Sequence, residues 1–107
     1  MRLLLYGTLL DPALLGRIAG HAVALTPATL DGWRRVAWRD RRYPTLRRGR
    51  GVVQGALVTR AGPAIMARLA AYEGRSWRLR PVLVRVGRRR LSAHAWVAPG
   101  GTLRGWP

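Results

Sequence analysis

The first hydrophobic positions of the chain predict a buried strand followed by a short helix. Leu3 to Tyr6 form an uninterrupted apolar run, which is typical of a buried strand. Asp11 then fits the N-cap of a helix, with Pro12 at its first helical position. The apolar stripe of this helix consists of Ala13, Leu14, Leu15 and Ile18, and Gly20 is expected to end it.

A second helix is predicted in the middle of the chain. Gly62-Pro63 marks its start, and Ile65, Leu69 and Tyr72 recur at the spacing of one helix face. Gly74 is expected to end this helix in the left-handed conformation, which glycine adopts without a steric penalty.

The segment between the helices contains strand-like pieces and breakers. Residues 23–25 and 28–38 have strand character, which Pro27 and Asp31-Gly32 are expected to interrupt. The arginine-rich residues 39–42 that follow are predicted to form a polar turn.

Three later segments also predict strands. Val52 to Val58 is apolar enough for a buried strand, in which Gly55 indicates a bulge or a close approach of another backbone. Pro81 to Val86 and Leu91 to Val97 predict a hairpin around residues 87–90, because apolar side chains alternate along the first of these segments.

These elements favour an α+β fold with a mainly antiparallel sheet. Several strands, two short helices and no repeated strand–helix–strand alternation are typical of such a domain, and a small β-barrel is one way to close its sheet. The length of 107 residues predicts a single domain over residues 1–107. The tail from Pro99 onwards is expected to be irregular.

The net charge of +16 changes this picture less than its size suggests. Every basic residue is an arginine, and these arginines extend from Arg2 to Arg104 without gathering in one segment, as drift in a GC-rich genome would produce. The densest groups, at 39–50 and 88–90, are predicted to lie in loops. We therefore expect non-specific binding of polyanions, without a specific nucleic-acid partner.

The composition also excludes several kinds of site. The chain has no cysteine, hence no disulfide, thiolate nucleophile or cysteine-bound zinc, which fits a cytoplasmic protein. His21 and His94 are far apart in sequence and lack acidic neighbours at metal-ligand spacing, so that no metal is expected. The first apolar run is too short to span a bilayer, and no membrane partner is expected.

The candidate chemistry begins directly after the first strand, at Tyr6-Gly7-Thr8-Leu9. A glycine there allows a sharp turn and brings successive backbone N–H groups close to a ligand. Such exposed N–H groups bind carboxylates or amide oxygens. The tetrapeptide alone is a weak signal, because Gly-Thr after a strand is common.

With four further motifs, the chain resembles the gamma-glutamylcyclotransferase-like family. The motifs occur in the order typical of that family: Leu3 to Leu10, Tyr43-Pro44-Thr45-Leu46, Val53 to Leu57, Leu69-Ala70-Ala71-Tyr72-Glu73-Gly74, and Trp77 to Val84. They cover almost the whole length of the chain.

The resemblance implies a small β-barrel with short flanking helices and a pocket at the mouth of the barrel. Tyr6, Gly7, Thr8 and Leu9 would bind the glutamyl part of a small γ-glutamyl substrate, and Tyr43 would line the pocket. Glu73 would be the catalytic acid/base in a cyclisation that yields 5-oxoproline and a free amine or amino acid. The resemblance implies no cofactor.

The sequence departs from the family pattern at two positions. Ala70 stands where an aspartate is expected, and Trp77 stands where relatives usually carry tyrosine. The lost tyrosine hydroxyl puts the identity of the substrate in question more than the fold.

Structural explanations compete with these roles. Glu73, the one glutamate of the chain, is alternatively an ion-pair partner of an arginine. Burial and the helix dipole would raise its pKa, whereas a neighbouring guanidinium would lower it. Tyr6 and Tyr72 fit core packing as well as a pocket, and Tyr43-Pro44 fits a simple turn.

Two function classes follow from the sequence. The first is a cyclotransferase that acts on γ-glutamyl amines or γ-glutamyl amino acids. The second is a non-catalytic barrel that binds an anionic partner such as RNA. The oligomeric state has no signal in the sequence.

Overall fold

The computed structural model describes residues 1–37 and 44–98, which form a five-stranded barrel with two helices. The strands are β1 (Leu3–Leu5), β2 (Thr26–Ala37), β3 (Pro44–Val58), β4 (Arg78–Val86) and β5 (Arg89–Val97). The helices are α1 (Pro12–Ala19) and α2 (Pro63–Glu73), and a short 3₁₀ turn, Thr8–Leu10, precedes α1.

The sheet closes in the order β1-β3-β2-β4-β5. The strand pairs are antiparallel except for β1 and β5, which run parallel. This last contact joins Leu3 with His94, and the His94 N–H donates to the carbonyl of Arg2 at 3.0 Å. The predicted α+β class and mainly antiparallel barrel are therefore confirmed.

Strand β1 is buried on both faces, which explains its uninterrupted apolar sequence. Leu4 belongs to the core inside the barrel, as does Tyr6, the residue directly after the strand. Leu3 and Leu5 pack in the core between the barrel and the two helices. The helices contribute Leu15 and Leu69, both fully buried, to that second core, with half-buried Leu14, Ile18, Ile65 and Met66 around them.

Both helix starts agree with the sequence predictions. The Asp11 carboxylate accepts a hydrogen bond from the Ala13 N–H at 3.0 Å, as an N-cap does, and Pro12 is the first residue of α1. Gly20 ends α1 in the left-handed conformation, with a φ of 86°. Pro63 likewise begins α2.

The prediction of two broken strand pieces before residue 38 was wrong. One continuous strand, β2, runs through Pro27, and residues 23–25 lie outside any strand. Asp31-Gly32 changes the register between Asp31 and Trp33 without ending the strand. Gly32, with a φ of 81°, permits this bulge because glycine adopts that backbone conformation freely.

The arginine clusters lie less in loops than predicted. Residues 47–50 belong to β3, and Arg89 and Arg90 begin β5, so that only Gly87-Arg88 forms the turn between the last two strands. The prediction for residues 39–42 and for the tail from Pro99 falls outside the described ranges.

Gly55 permits a close approach of two backbones. A Cβ atom at this position would lie 2.5 Å from the carbonyl oxygen of Leu5 and 3.2 Å from Leu4 Cδ1. Strand β3 therefore fits against β1 only because residue 55 has no side chain. This outcome confirms the close-approach interpretation of Gly55.

Candidate active site

A cavity of about 300 Å³ lies beside the end of β1 and the end of α2. This size is at the lower end of the range for small-molecule sites, about 300–1,000 Å³. The residues that line it come from four places in the sequence: Leu4 to Leu9, Pro44, Tyr72 to Trp77, and Trp96. The cavity thus brings together Glu73 with Tyr6, Gly7, Thr8 and Leu9, although more than sixty residues separate these two segments.

The cavity wall that follows β1 contains the 3₁₀ turn, whose first backbone N–H groups are unpaired among the described residues. Gly7 has backbone angles outside the helical and extended regions (φ −128°, ψ −136°), and the 3₁₀ turn starts at the next residue. The Gly7 carbonyl accepts from the Leu10 N–H at 3.0 Å, which closes the turn. Within residues 1–37 and 44–98, the N–H groups of Thr8 and Leu9 have no hydrogen-bond acceptor, as is usual at the start of a helical turn. These two N–H groups are therefore not used by the described part of the protein itself.

Tyr6 combines the two roles that its sequence left open. Its ring is buried in the barrel core and also lines the cavity, and its hydroxyl donates to the carbonyl of Trp96. Burial raises the pKa of Tyr6 well above its ordinary value, and the nearby Thr45 hydroxyl lowers it by a smaller amount. Tyr6 is therefore a neutral hydrogen-bonding group across the physiological pH range.

Glu73 is the last residue of α2, and its side chain is half-buried in the wall of the cavity. The following Gly74 has a φ of 90° and a ψ of 179°. The predicted positive φ is confirmed, but the residue is extended in ψ instead of left-handed helical. This region is essentially restricted to glycine. Gly74 therefore turns the chain sharply away from the helix axis directly after the carboxylate.

Burial raises the pKa of Glu73 from 4.5 to about 7. A carboxylate in an apolar wall is more easily kept protonated, because its charged form loses hydration. The described ion pair of the chain joins Asp31 and Arg85, and within the described ranges Glu73 has no such arginine partner. Burial thus decides the pKa direction that the sequence left open.

Tyr72 connects the two walls at the cavity rim. Its hydroxyl lies 3.2 Å from Thr8 Oγ1, and 41% of the residue is exposed, so it is not a core residue. The hydrogen bond ties the end of α2 to the turn after β1. This contact also fixes the position of Thr8 relative to Glu73, the next residue after Tyr72.

Several lining residues were not assigned to the site from the sequence. The sequence motifs assign no pocket role to Arg75, Ser76 or Trp96, yet all three line the cavity. Trp77 also lines it and packs against both cores. Proximity to Glu73 in the sequence was the available signal for residues 74–77; nothing local indicates Trp96.

Tyr43, the remaining predicted substrate residue, lies outside the described ranges. Its neighbour Pro44 does line the cavity, and the Pro44 ring is 3.5 Å from where a Cβ on Gly7 would lie. The interpretation of Tyr43 as a pocket residue stays a prediction.

No group of three or more histidine, cysteine, aspartate or glutamate side chains lies close enough to hold a metal ion in the described part of the chain. Among the same residues, neither helix is long and apolar enough to cross a membrane.

The sequence matches the family described as gamma-glutamyl cyclotransferase, AIG2-like, over residues 3–106. The chain belongs to this family. No curated protein matches it significantly by sequence.

Solved structures share the fold at low sequence identity. An Arabidopsis thaliana protein aligns with a TM-score of 0.80 and 23% identity over 91% of this chain and 61% of its own. A structure titled gamma-glutamyl cyclotransferase aligns with a TM-score of 0.74 and 11% identity over 94% of this chain and 68% of its own. An uncharacterised Pyrococcus horikoshii protein aligns with a TM-score of 0.68 and 18% identity over 98% of this chain and 83% of its own. The chain thus spans only about three fifths of the length of the first of these proteins.

Because Glu73 is half-buried, the free energy of unfolding is expected to depend on pH. The folded-state pKa of Glu73, about 7, exceeds the unfolded value of 4.5. Between these values the unfolded chain loses the Glu73 proton more readily than the folded chain does. The free energy of unfolding therefore decreases as pH rises from about 4.5 to 7.

Glu73→Gln is therefore expected to be more stable than the wild type at about pH 8, by about 1–3 kcal/mol. The advantage should disappear near pH 4.5, where both side chains are neutral. Urea unfolding of both proteins at the two pH values measures this difference. A gap that stays constant with pH would show that Glu73 ionises as freely as an exposed carboxylate.

Proposed function

We propose that the protein cyclises γ-glutamyl amines or γ-glutamyl amino acids to 5-oxoproline, with release of the amine, and that Glu73 is the general acid/base. One observation carries the proposal: a half-buried carboxylate whose pKa is raised to about 7 lines the same cavity as Thr8 and Leu9, whose N–H groups have no acceptor in the described part of the chain. Membership of the gamma-glutamyl cyclotransferase family supports the reaction class.

The first role of Glu73 is to remove a proton. The α-amino group of a γ-glutamyl substrate is an ammonium ion at neutral pH and has no lone pair for attack. A general base works best when its pKa is near the operating pH, as burial arranges for Glu73. The carboxylate takes one ammonium proton, and the free amine attacks the γ-carbonyl carbon of the same molecule.

The second requirement is charge stabilisation at the carbonyl oxygen. As the five-membered ring closes, the γ-carbonyl oxygen acquires negative charge. N–H groups already aimed at that position stabilise it without reorganisation. Thr8 and Leu9 can supply them, because neither N–H is used elsewhere in the described part of the chain.

The reaction ends with proton return. The carbon–nitrogen bond to the leaving amine breaks as Glu73 delivers its proton to that nitrogen. The second proton on the attacking nitrogen is lost to solvent or to the released amine, so that protons balance. Ring closure is intramolecular, and the protein mainly holds the reacting atoms in place.

The test is direct assay of 5-oxoproline after incubating purified protein with γ-glutamyl amino acids and γ-glutamyl amines. Formation of 5-oxoproline in proportion to enzyme concentration supports the proposal. No product from any compound of the panel would contradict it.

The alternative of a non-catalytic barrel that binds an anionic partner such as RNA is less well supported. A half-buried carboxylate whose pKa lies near 7 is suited to proton transfer, and anion binding gives it no role. Sequence-selective RNA binding that survives moderate salt would favour this alternative, whereas binding lost with salt would reflect charge alone.

A further inference from the structure

The cavity wall contains a second charged side chain, to which no role has been given. Arg75 lies two positions after Glu73, directly beyond the sharp turn at Gly74. Among the described lining residues, Glu73 and Arg75 are the two whose side chains carry charge near neutral pH. Glu73 is half-buried, whereas Arg75 is exposed and therefore marks the outer part of the cavity.

The Arg75 guanidinium is free to bind a ligand. Within residues 1–37 and 44–98 it has no hydrogen bond and no ion pair. It is not used by Glu73 either, because burial alone accounts for the pKa shift of that carboxylate, with no lowering by a guanidinium. Glu73 and Arg75 thus form no ion pair with each other, and the first is half-buried whereas the second is exposed.

We infer that Arg75 binds a carboxylate on the leaving group, so that the enzyme prefers γ-glutamyl α-amino acids to γ-glutamyl amines that have no acid group. This inference rests on the proposed function. In the proposed mechanism the γ-carbonyl lies between Glu73 and the N–H groups of Thr8 and Leu9, which leaves the exposed part of the cavity, with Arg75, for the leaving amine. An α-amino acid carries its carboxylate two bonds beyond the leaving nitrogen, and Arg75 is the cationic side chain among the described residues that line the cavity.

The chemistry of the two groups supports this assignment. A guanidinium offers a planar pair of N–H donors that matches the two oxygens of a carboxylate. The Ser76 hydroxyl, also in the cavity wall, adds a neighbouring donor. A leaving group without a carboxylate would form weaker hydrogen bonds with the Arg75 guanidinium and the Ser76 hydroxyl.

The net charge of +16 requires a control, because the whole protein attracts anions. Arg88 provides one. It is exposed in the turn between β4 and β5, and it does not line the cavity. Removing Arg88 changes the overall charge by the same amount as removing Arg75 but leaves the cavity intact.

The experiment compares γ-glutamyl-alanine with γ-glutamyl-alaninamide, which differ only in the terminal carboxylate. The ratio of their kcat/KM values is measured in the wild type, Arg75→Gln and Arg88→Gln by the release of 5-oxoproline. Dividing the ratio of each variant by that of the wild type cancels the chemical difference between the two leaving amines. We expect Arg75→Gln to lower the preference for the acid about 10-fold, mainly through KM, and Arg88→Gln to change it less than about 2-fold.

Three results would overturn the inference. An equal loss on both substrates would assign Arg75 to the shared glutamyl carboxylate or to a structural role. An equal change of the substrate preference in Arg75→Gln and Arg88→Gln would show that the effect comes from the overall charge of the protein. A wild type without preference for the acid would contradict it directly.

A binding measurement separates this inference from the proposed function. Trp77 and Trp96 line the cavity, so tryptophan fluorescence can follow the binding of γ-glutamyl-alanine to Glu73→Gln with and without Arg75→Gln. If loss of Arg75 weakens binding but the wild type forms no 5-oxoproline, the proposed reaction is wrong and the carboxylate contact stands. If the wild type forms 5-oxoproline but loss of Arg75 does not change binding, the reaction stands and the inference about Arg75 is wrong.

Discussion

Glu73→Gln is expected to lower kcat for 5-oxoproline formation by about 10²- to 10⁴-fold, the usual contribution of a positioned general acid/base. Glutamine has nearly the shape of glutamate, but its amide cannot accept the ammonium proton. KM should change little, since in the proposed mechanism the N–H groups of Thr8 and Leu9 and the outer cavity wall hold the substrate. Steady-state kinetics on the best substrate of the panel measure both constants.

Asp11→Asn is the matched control for this substitution. It removes one of the four acidic groups of the chain, outside the cavity, and asparagine is as good an N-cap as aspartate. Its kcat should equal that of the wild type. If Glu73→Gln retained more than about a third of wild-type kcat, the general-base role would be untenable.

Gly55→Ala is expected to lower the free energy of unfolding by about 2–3 kcal/mol. The new Cβ would lie 2.5 Å from the Leu5 carbonyl oxygen, and a backbone atom in a paired strand cannot swing aside as the end of a long side chain can. Either β1 shifts or its pairing with β3 opens. For a domain of about 100 residues this loss corresponds to a decrease in Tm of about 10 °C or more.

The same substitution should also reduce activity, because Leu5 directly precedes Tyr6 and the turn with its unpaired N–H groups. Gly49→Ala is the control in the same strand. A Cβ at Gly49 would make only ordinary contacts of 3.8 Å with the Arg34 side chain. Its stability should stay within about 0.5 kcal/mol of the wild type. Equal thermal shifts in the two variants would mean that β1 and β3 do not approach as closely as described.

The local features of the fold were predictable where one residue type meets one backbone requirement. Asp11-Pro12 and Gly62-Pro63 mark both helix starts, since N-caps and first-turn prolines satisfy the free N–H groups there. The buried run of β1 was equally clear. Strand β2 was misread because Pro27 and Asp31-Gly32 are breakers by local rules, while pairing along the whole strand with β3 outweighs those preferences.

The candidate site was likewise only partly predictable from the sequence. The loop at Gly7 and the carboxylate of Glu73 could be named from motifs, but their meeting in one cavity depends on how α2 packs against the barrel. Trp96 could not be named, because its place in the cavity comes from the parallel contact of β5 with β1. The pKa of Glu73 also depended on burial, a property of the folded chain.

The pH dependence of kcat/KM for 5-oxoproline formation tests the central claim most directly. If buried Glu73 is the base, kcat/KM should fall about tenfold for each pH unit below its pKa of about 7, because only the carboxylate accepts the substrate proton. The wild-type rate should level off above about pH 7, whereas the residual activity of Glu73→Gln should keep rising through pH 8, because without the base only the free-amine form of the substrate reacts. A wild-type rate that stays constant from about pH 5 to 8 would contradict the account.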